Sequence, residues 1–232
     1  MNRIGLLGLL TLFLLLPGLI QAQADDAARY LEALEKKYSG LKDYIVDVNI
    51  HFDIETFKAP DLQAKIYYKI PDKIKVESKR VLFFPREGGY FNPSLFKKED
   101  FTILLLEHPS KGSHKTVKLR LIPKQTKGTT QEMVLTIDLE KNLVREAHVQ
   151  QIGGKEIRAE MAYGIFGSME LPTRIKLLLD FPAVEPEGVK GFIPSAPGTQ
   201  RVKGRIDMTY SNYRVNAGLT DEIFMGIEPR NP

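Results

Sequence analysis

From Tyr44 to Ile54 every second residue is apolar: Tyr44, Val46, Val48, Ile50, Phe52 and Ile54 alternate with Asp47, Asn49, His51, Asp53 and Glu55. Successive side chains of an extended strand point to opposite faces, so this pattern predicts a long strand with one dry and one wet face. No other feature restricts the fold as strongly, because the dry face must be covered and the wet one left in water. The same period follows at Leu62, Ala64, Ile66, Tyr68 and Ile70, then, after a turn at Pro71-Asp72, at Ile74 and Val76. It returns over residues 117–122, 133–139, 143–151, 157–163, 174–179 and 202–210, with turn residues at 140–142 and 153–154 and a short apolar run at 81–84. Short turns favour pairing between neighbours in sequence. Roughly ten strands with one apolar and one charged face imply a strongly curved antiparallel sheet or open barrel.

Three segments break the rhythm. Ala27, Tyr30, Leu31, Leu34, Tyr38 and Leu41 recur at three and four residues, which predicts an amphipathic helix ending near Ser39-Gly40. Residues 92–108 open on Asn-Pro, a helix-start signal, and carry Leu95, Phe96, Phe101, Leu104, Leu105 and Leu106 beside Lys97, Lys98, Glu99 and Asp100. They are expected to form a helical insertion. Residues 181–200, with four prolines and three glycines, read as a long surface loop. The fold class is therefore α+β: a single curved antiparallel sheet covered by an N-terminal helix and a helical insertion.

The first 24 residues read as an export signal. Arg3 precedes an apolar run that is broken by Pro17-Gly18 and closes on Ala22-Gln23-Ala24, the small residues a signal peptidase requires. The run before Pro17 is shorter than the roughly 20 residues of a spanning helix. Cleavage removes one cation and no acid from a chain of formal charge +4, and leaves residues 25–232 as one domain. An exported chain of such low charge is not expected to bind nucleic acid. With no cysteine it has no disulfide, thiolate metal site, cysteine nucleophile or lipidated N-terminal Cys.

Catalytic and metal signatures are missing as well. His51, His108, His114 and His148 are not in zinc-ligand spacing, Gly167-Ser168 runs into Met169-Glu170 rather than a nucleophile elbow, and there is no glycine-rich phosphate loop. Asp47, Asp53 and Glu55 share a strand face, but without an acidic calcium loop they read as a wetted surface. No enzyme activity, metal or cofactor is expected.

Several stretches together resemble the LolA-like periplasmic lipoprotein carriers, a superfamily that includes LolB-type receptors and RseB-type stress sensors. The strand, turn and strand from Ala64 through Ile70-Pro71 to Val76 is one. Tyr90-Phe91-Asn92-Pro93 is similar to an aromatic-Asn-Pro step into inserted helices. The strand Leu119-Arg-Leu-Ile-Pro123-Lys124, the hairpin over residues 137–154 and the closing segment 215–224 with Pro229 complete the likeness. The resemblance implies a half-barrel of about eleven strands whose hollow receives acyl chains of lipoproteins or phospholipids. It further implies a monomer in the periplasm that takes cargo from an inner-membrane exporter and delivers it to an outer-membrane receptor. An envelope-stress sensor of RseB type, binding a protein partner, is the alternative. Sensors of that kind usually carry a second domain, for which this chain leaves little room.

On this basis the apolar phase of the first strands is expected to line the hollow: Val46, Val48, Ile50 and Phe52, then Leu62, Ala64, Ile66, Tyr68 and Ile70, then Ile74 and Val76. Phe96, Phe101, Leu104 and Leu105 are expected to contribute from the insertion. One position departs from the resemblance. Ile70 stands where the carriers have an arginine that holds the lid closed, so a lid held in that way is not expected here.

Overall fold

A computed structural model of the chain describes residues 17–55, 58–79, 89–107, 115–125, 129–182 and 201–225. The alternating stretches are strands: β1 (Asp43–Ile54), β2 (Leu62–Lys69), β3 (Lys73–Ser78), β4 (Phe101–Glu107), β5 (Thr116–Pro123), β6 (Thr130–Asp138), β7 (Leu143–Gln151), β8 (Lys155–Phe166), β9 (Met169–Pro182) and β10 (Arg201–Val215). All ten belong to one antiparallel sheet, in the order β3-β2-β1-β10-β9-β8-β7-β6-β5-β4, which does not close. Every neighbour pair is consecutive in sequence except β1 with β10. The first and last described strands thus pair inside the sheet, and β3 and β4 become its edges. The connection between them has to run from one edge to the other.

Register carries the apolar phase across the sheet. Phe52 faces Ile206, Ile206 faces Leu177, and Leu177 faces Ala159. The row continues through Ala147, Leu135, Leu119 and Leu105. One unbroken apolar row therefore spans eight strands, and parallel rows lie on either side of it. The outer face is wet and paired: Lys65 reaches Asp47 at 2.6 Å, Lys176 reaches Glu160 at 3.1 Å, and Arg205 bridges Asp53 at 3.0 Å and Asp207 at 2.8 Å. This is the fate of the acidic face of β1.

The single helix among the described residues, α1 (Pro17–Tyr38), buries Ala27, Tyr30, Leu31, Leu34 and Tyr38, the expected stripe, and packs on β4 and on the residues before it. Its last turn is pinned. Lys37 donates to the Glu170 carboxylate at 2.9 Å and the Tyr38 hydroxyl to the Glu170 carbonyl at 2.9 Å. The helix runs continuously through the expected cleavage point after Ala24, and its packed residues from Ala27 onward all lie beyond that point. No described helix is long and apolar enough to cross a membrane.

The insertion differs from expectation. Asn92 caps a short 3-10 turn (Pro93–Phe96), its side chain accepting from the Ser94 amide at 2.9 Å, and a second 3-10 turn covers Lys98–Asp100. The chain then straightens, so Phe101, Leu104 and Leu105 lie on edge strand β4 and not on a helix. Phe-Thr-Ile-Leu-Leu-Leu is a short apolar run with a β-branched centre, readable either way in isolation, and the free edge of β5 decides it by pairing. The expected strand at 81–84, the leader up to residue 16, most of the loop at 181–200, His108, His114 and Pro229 lie outside the described residues.

Candidate lipid-binding cavity

The apolar face is filled on one side and hollow on the other. Over β1, β2 and β10 the side chains are large. Tyr44 and Tyr68 stack with ring centroids 5.0 Å apart, Tyr44 meets Tyr213 edge-on at 5.6 Å, and Tyr68 meets Tyr90 at 5.7 Å. Their hydroxyls stitch the crossing segment 89–92 onto the sheet: Tyr44 donates to the Phe91 carbonyl at 2.9 Å, Tyr210 to the Gly89 carbonyl at 2.8 Å, and the Tyr68 hydroxyl lies 2.6 Å from Asn92 Oδ1. Burial pushes all three phenols well above their ordinary range, so they remain protonated donors at any physiological pH.

On β7 and β8 the inward face carries two small side chains. Ala147 on β7 and Ala159 on β8 are direct register partners. With Met133, Val149, Ile157, Met161 and Ile175 they form the floor of a cavity of about 700 Å³. Its roof is the crossing segment, through Tyr90, Phe91, Asn92, Leu95 and Phe96, and its side wall is Phe101 and Pro123. Polar residues gather at the rim: Glu99, Asp100, Lys124, Gln125 and Thr130. The rim lies at the end of the sheet where β5 hands over to β6. A pocket of this volume, with apolar walls and a few polar groups at its mouth, has the make-up of a small-molecule site.

Of the residues expected to line the hollow, Phe96 and Phe101 border it. Val46, Val48, Ile50, Ile66 and Tyr68 are at most 1% exposed and belong to the packed half of the same face, with Leu62 and Ala64 beside them. Phe52, Ile70, Ile74, Val76 and Leu105 are half-buried against that core. Leu104 points outward and is 42% exposed, because alternation along β4 gives the inward positions to Ile103 and Leu105. The floor residues on β6 to β9 were missed. Their signal is a small residue in the apolar phase of two successive strands.

No family model matches the sequence, and no curated protein matches it. Solved structures do. A LolA superfamily protein of Nitrosomonas europaea superposes with a TM-score of 0.56 at 16% identity, covering 86% of this chain and 97% of that one. The chain has the LolA-like fold. An outer-membrane lipoprotein-sorting protein domain from Vibrio parahaemolyticus gives 0.56 at 12% identity over 87% and 97% of the two chains. A DUF1329 family protein of Desulfovibrio piger gives 0.58 at 11%, again over 87% and 97%. At such identities the fold is what is shared. Within it, Ile70 is half-buried against the core, and the tie between sheet and crossing segment is made by the hydroxyls of Tyr44, Tyr68 and Tyr210.

A second groove, of about 640 Å³, lies on the wet side of β1 and β2 and is lined by Asp47, Asn49, Gln63, Lys65 and Glu77. Asp47 takes hydrogen bonds from Lys65 at 2.6 Å and from Asn212 at 3.0 Å, which hold its carboxyl below the usual range. The same applies to Glu77, lowered by Lys75 and Tyr67. Among the described residues no group of acidic residues and histidines is arranged to hold a metal.

Proposed function

We propose that the protein is a periplasmic carrier that shelters an acyl chain of a lipoprotein or envelope lipid and moves it between membranes. The observation that carries this reading is the apolar cavity of about 700 Å³ roofed by the β3–β4 crossing segment. At about 0.8 kcal/mol per buried methylene, a chain of about 16 carbons costs on the order of 12 kcal/mol to leave in water, so a lipid anchor crosses an aqueous space only inside such a lining. The leader-like first 24 residues support export. The reading assigns the protein no catalysis. It implies a membrane-bound donor and acceptor for the cargo, and a monomeric carrier between them.

The test is expression of the full chain with its leader, purification from the periplasm without detergent, and native mass spectrometry followed by lipid extraction. The expected result is a mature chain beginning at Asp25 with an acyl-bearing molecule bound. Recovery of empty protein that also takes up no added lipid overturns the proposal.

A further inference from the structure

We infer that the cavity takes one acyl chain, and that its rim is built for a head group carrying a phosphate and an ammonium together: a monoacyl, zwitterionic phospholipid. This rests on the carrier reading and narrows it. The first ground is volume. A methylene fills about as much space as a water molecule, about 30 Å³, so a chain of about 16 carbons needs about 480 Å³. Two such chains need about 960 Å³ and three about 1,400 Å³. The hollow measures about 700 Å³. It holds one chain with room for the glycerol carbons and falls about 260 Å³ short of two.

Two sides of the hollow are held by packed surroundings. On the roof side, three buried tyrosine hydroxyls hold segment 89–92 against the sheet. On the sheet side, the neighbouring half of the face is occupied by Tyr44, Ile50, Ile66 and Tyr68, each at most 1% exposed. Interiors packed in this way do not yield space by small adjustments.

The second ground is charge. The rim carries carboxylates at Glu99 and Asp100 and an ammonium at Lys124. The Lys124 amide donates to the Asp100 carbonyl at 2.9 Å, so the backbones that carry the two signs meet at the mouth. Among the described residues none of these three side chains has an ion-pair partner, whereas Lys98, next in the chain, is paired with Glu32. A head group with a phosphate at the lysine and an ammonium at the carboxylates would complete both. A purely anionic head would face two like charges, and an uncharged one would use neither sign.

The experiment titrates the delipidated full-length mature protein with defined lipids, read by native mass spectrometry and calorimetry. The probes are palmitoyl lysophosphatidylethanolamine, palmitoyl lysophosphatidic acid, monopalmitoylglycerol, dipalmitoyl phosphatidylethanolamine and a triacylated lipopeptide. One molecule of the lysophosphatidylethanolamine per chain is expected. The two-chain and three-chain ligands are expected to bind at least tenfold more weakly, and the two other single-chain ligands about fivefold more weakly. Lys124→Glu should weaken the zwitterionic ligand at least fivefold and leave monopalmitoylglycerol within twofold, a control that also reports an intact cavity. Glu99→Gln combined with Asp100→Asn should remove the preference over lysophosphatidic acid.

Equal or tighter binding of the two-chain or three-chain ligand overturns the single-chain inference while leaving the carrier reading intact. Equal binding of all single-chain ligands, with no effect of the rim variants, overturns the head-group assignment. Failure of every lipid to bind overturns both this inference and the carrier reading.

Discussion

Replacing Ala147 and Ala159 by leucine together separates a hollow from a packed core, because the two cases give opposite signs. Each substitution adds three carbons, about 90 Å³ at about 30 Å³ per carbon. The pair would reduce a cavity of about 700 Å³ to roughly 500 Å³. In a hollow the added groups find unoccupied apolar space. Burial of three methylenes at about 0.8 kcal/mol each, less about 1 kcal/mol of side-chain entropy, leaves a gain of about 1 kcal/mol per site. The sum of about 2 kcal/mol corresponds to a rise of about 4–8 °C in Tm for a chain of this size. The space that remains still takes a chain of about 16 carbons, about 480 Å³, but a chain of about 20 carbons, about 600 Å³, loses the burial of about three methylenes, about 2.4 kcal/mol, so its Kd should rise roughly 50-fold. Differential scanning calorimetry of the delipidated protein gives the first quantity and lipid titration the second. In a solid core the same substitutions would overpack and cost about 1–3 kcal/mol each. A fall in Tm together with unchanged lipid retention would refute the assignment of the cavity floor.

Tyr210→Phe removes the donor to the buried Gly89 carbonyl, and Tyr44→Phe the donor to that of Phe91. Each should cost about 1–3 kcal/mol in chemical denaturation and speed amide hydrogen exchange in residues 89–96, since a buried acceptor is left unpaired. Asp43 is buried and accepts from the amides of Ala217, Gly218 and Leu219 at 2.6, 3.2 and 3.1 Å. Asp43→Ala should therefore cost about 3–5 kcal/mol in urea unfolding, more than any single tyrosine-to-phenylalanine change. Asp221 is held down to about 2 by hydrogen bonds from Lys69 and Lys73. Its contribution is fully present above the ordinary Asp value of about 4 and is lost as pH falls towards about 2, so Asp221→Asn should flatten the acid limb of the Tm against pH curve in that window and leave the neutral region nearly unchanged.

The strands were legible because their signal is local. A face that must be dry along β1 or β7 repeats every second residue, and the turns at residues 140–142 and 153–154 tie neighbours together without reference to the rest of the chain. The β1–β10 ladder is of another kind. Tyr44 meets Val215 across most of the sequence, and nothing in either strand alone names the other. The misassigned helix at 101–107 has the same origin. Its apolar run satisfies a helix and a strand equally, and the deciding term is the row of backbone groups that β5 presents to it.

The location of the cavity follows a rule that runs against intuition. The strongest apolar alternation, on β1 and β2, pointed to the lining, yet large side chains in perfect phase fill the space they enclose. Tyr44, Tyr68, Ile50 and Ile66 are buried there, and the two tyrosines use their hydroxyls to fasten the roof. Space survives where the apolar phase is kept but the volume is small, at Ala147 and Ala159. One alanine in a strand would be covered by its neighbours. Two become a hollow only when register sets them side by side, as it does between β7 and β8. The composition of β7 and β8 contains both residues, but their adjacency belongs to the ladder, so the floor of the site could be found only after the strands had been paired.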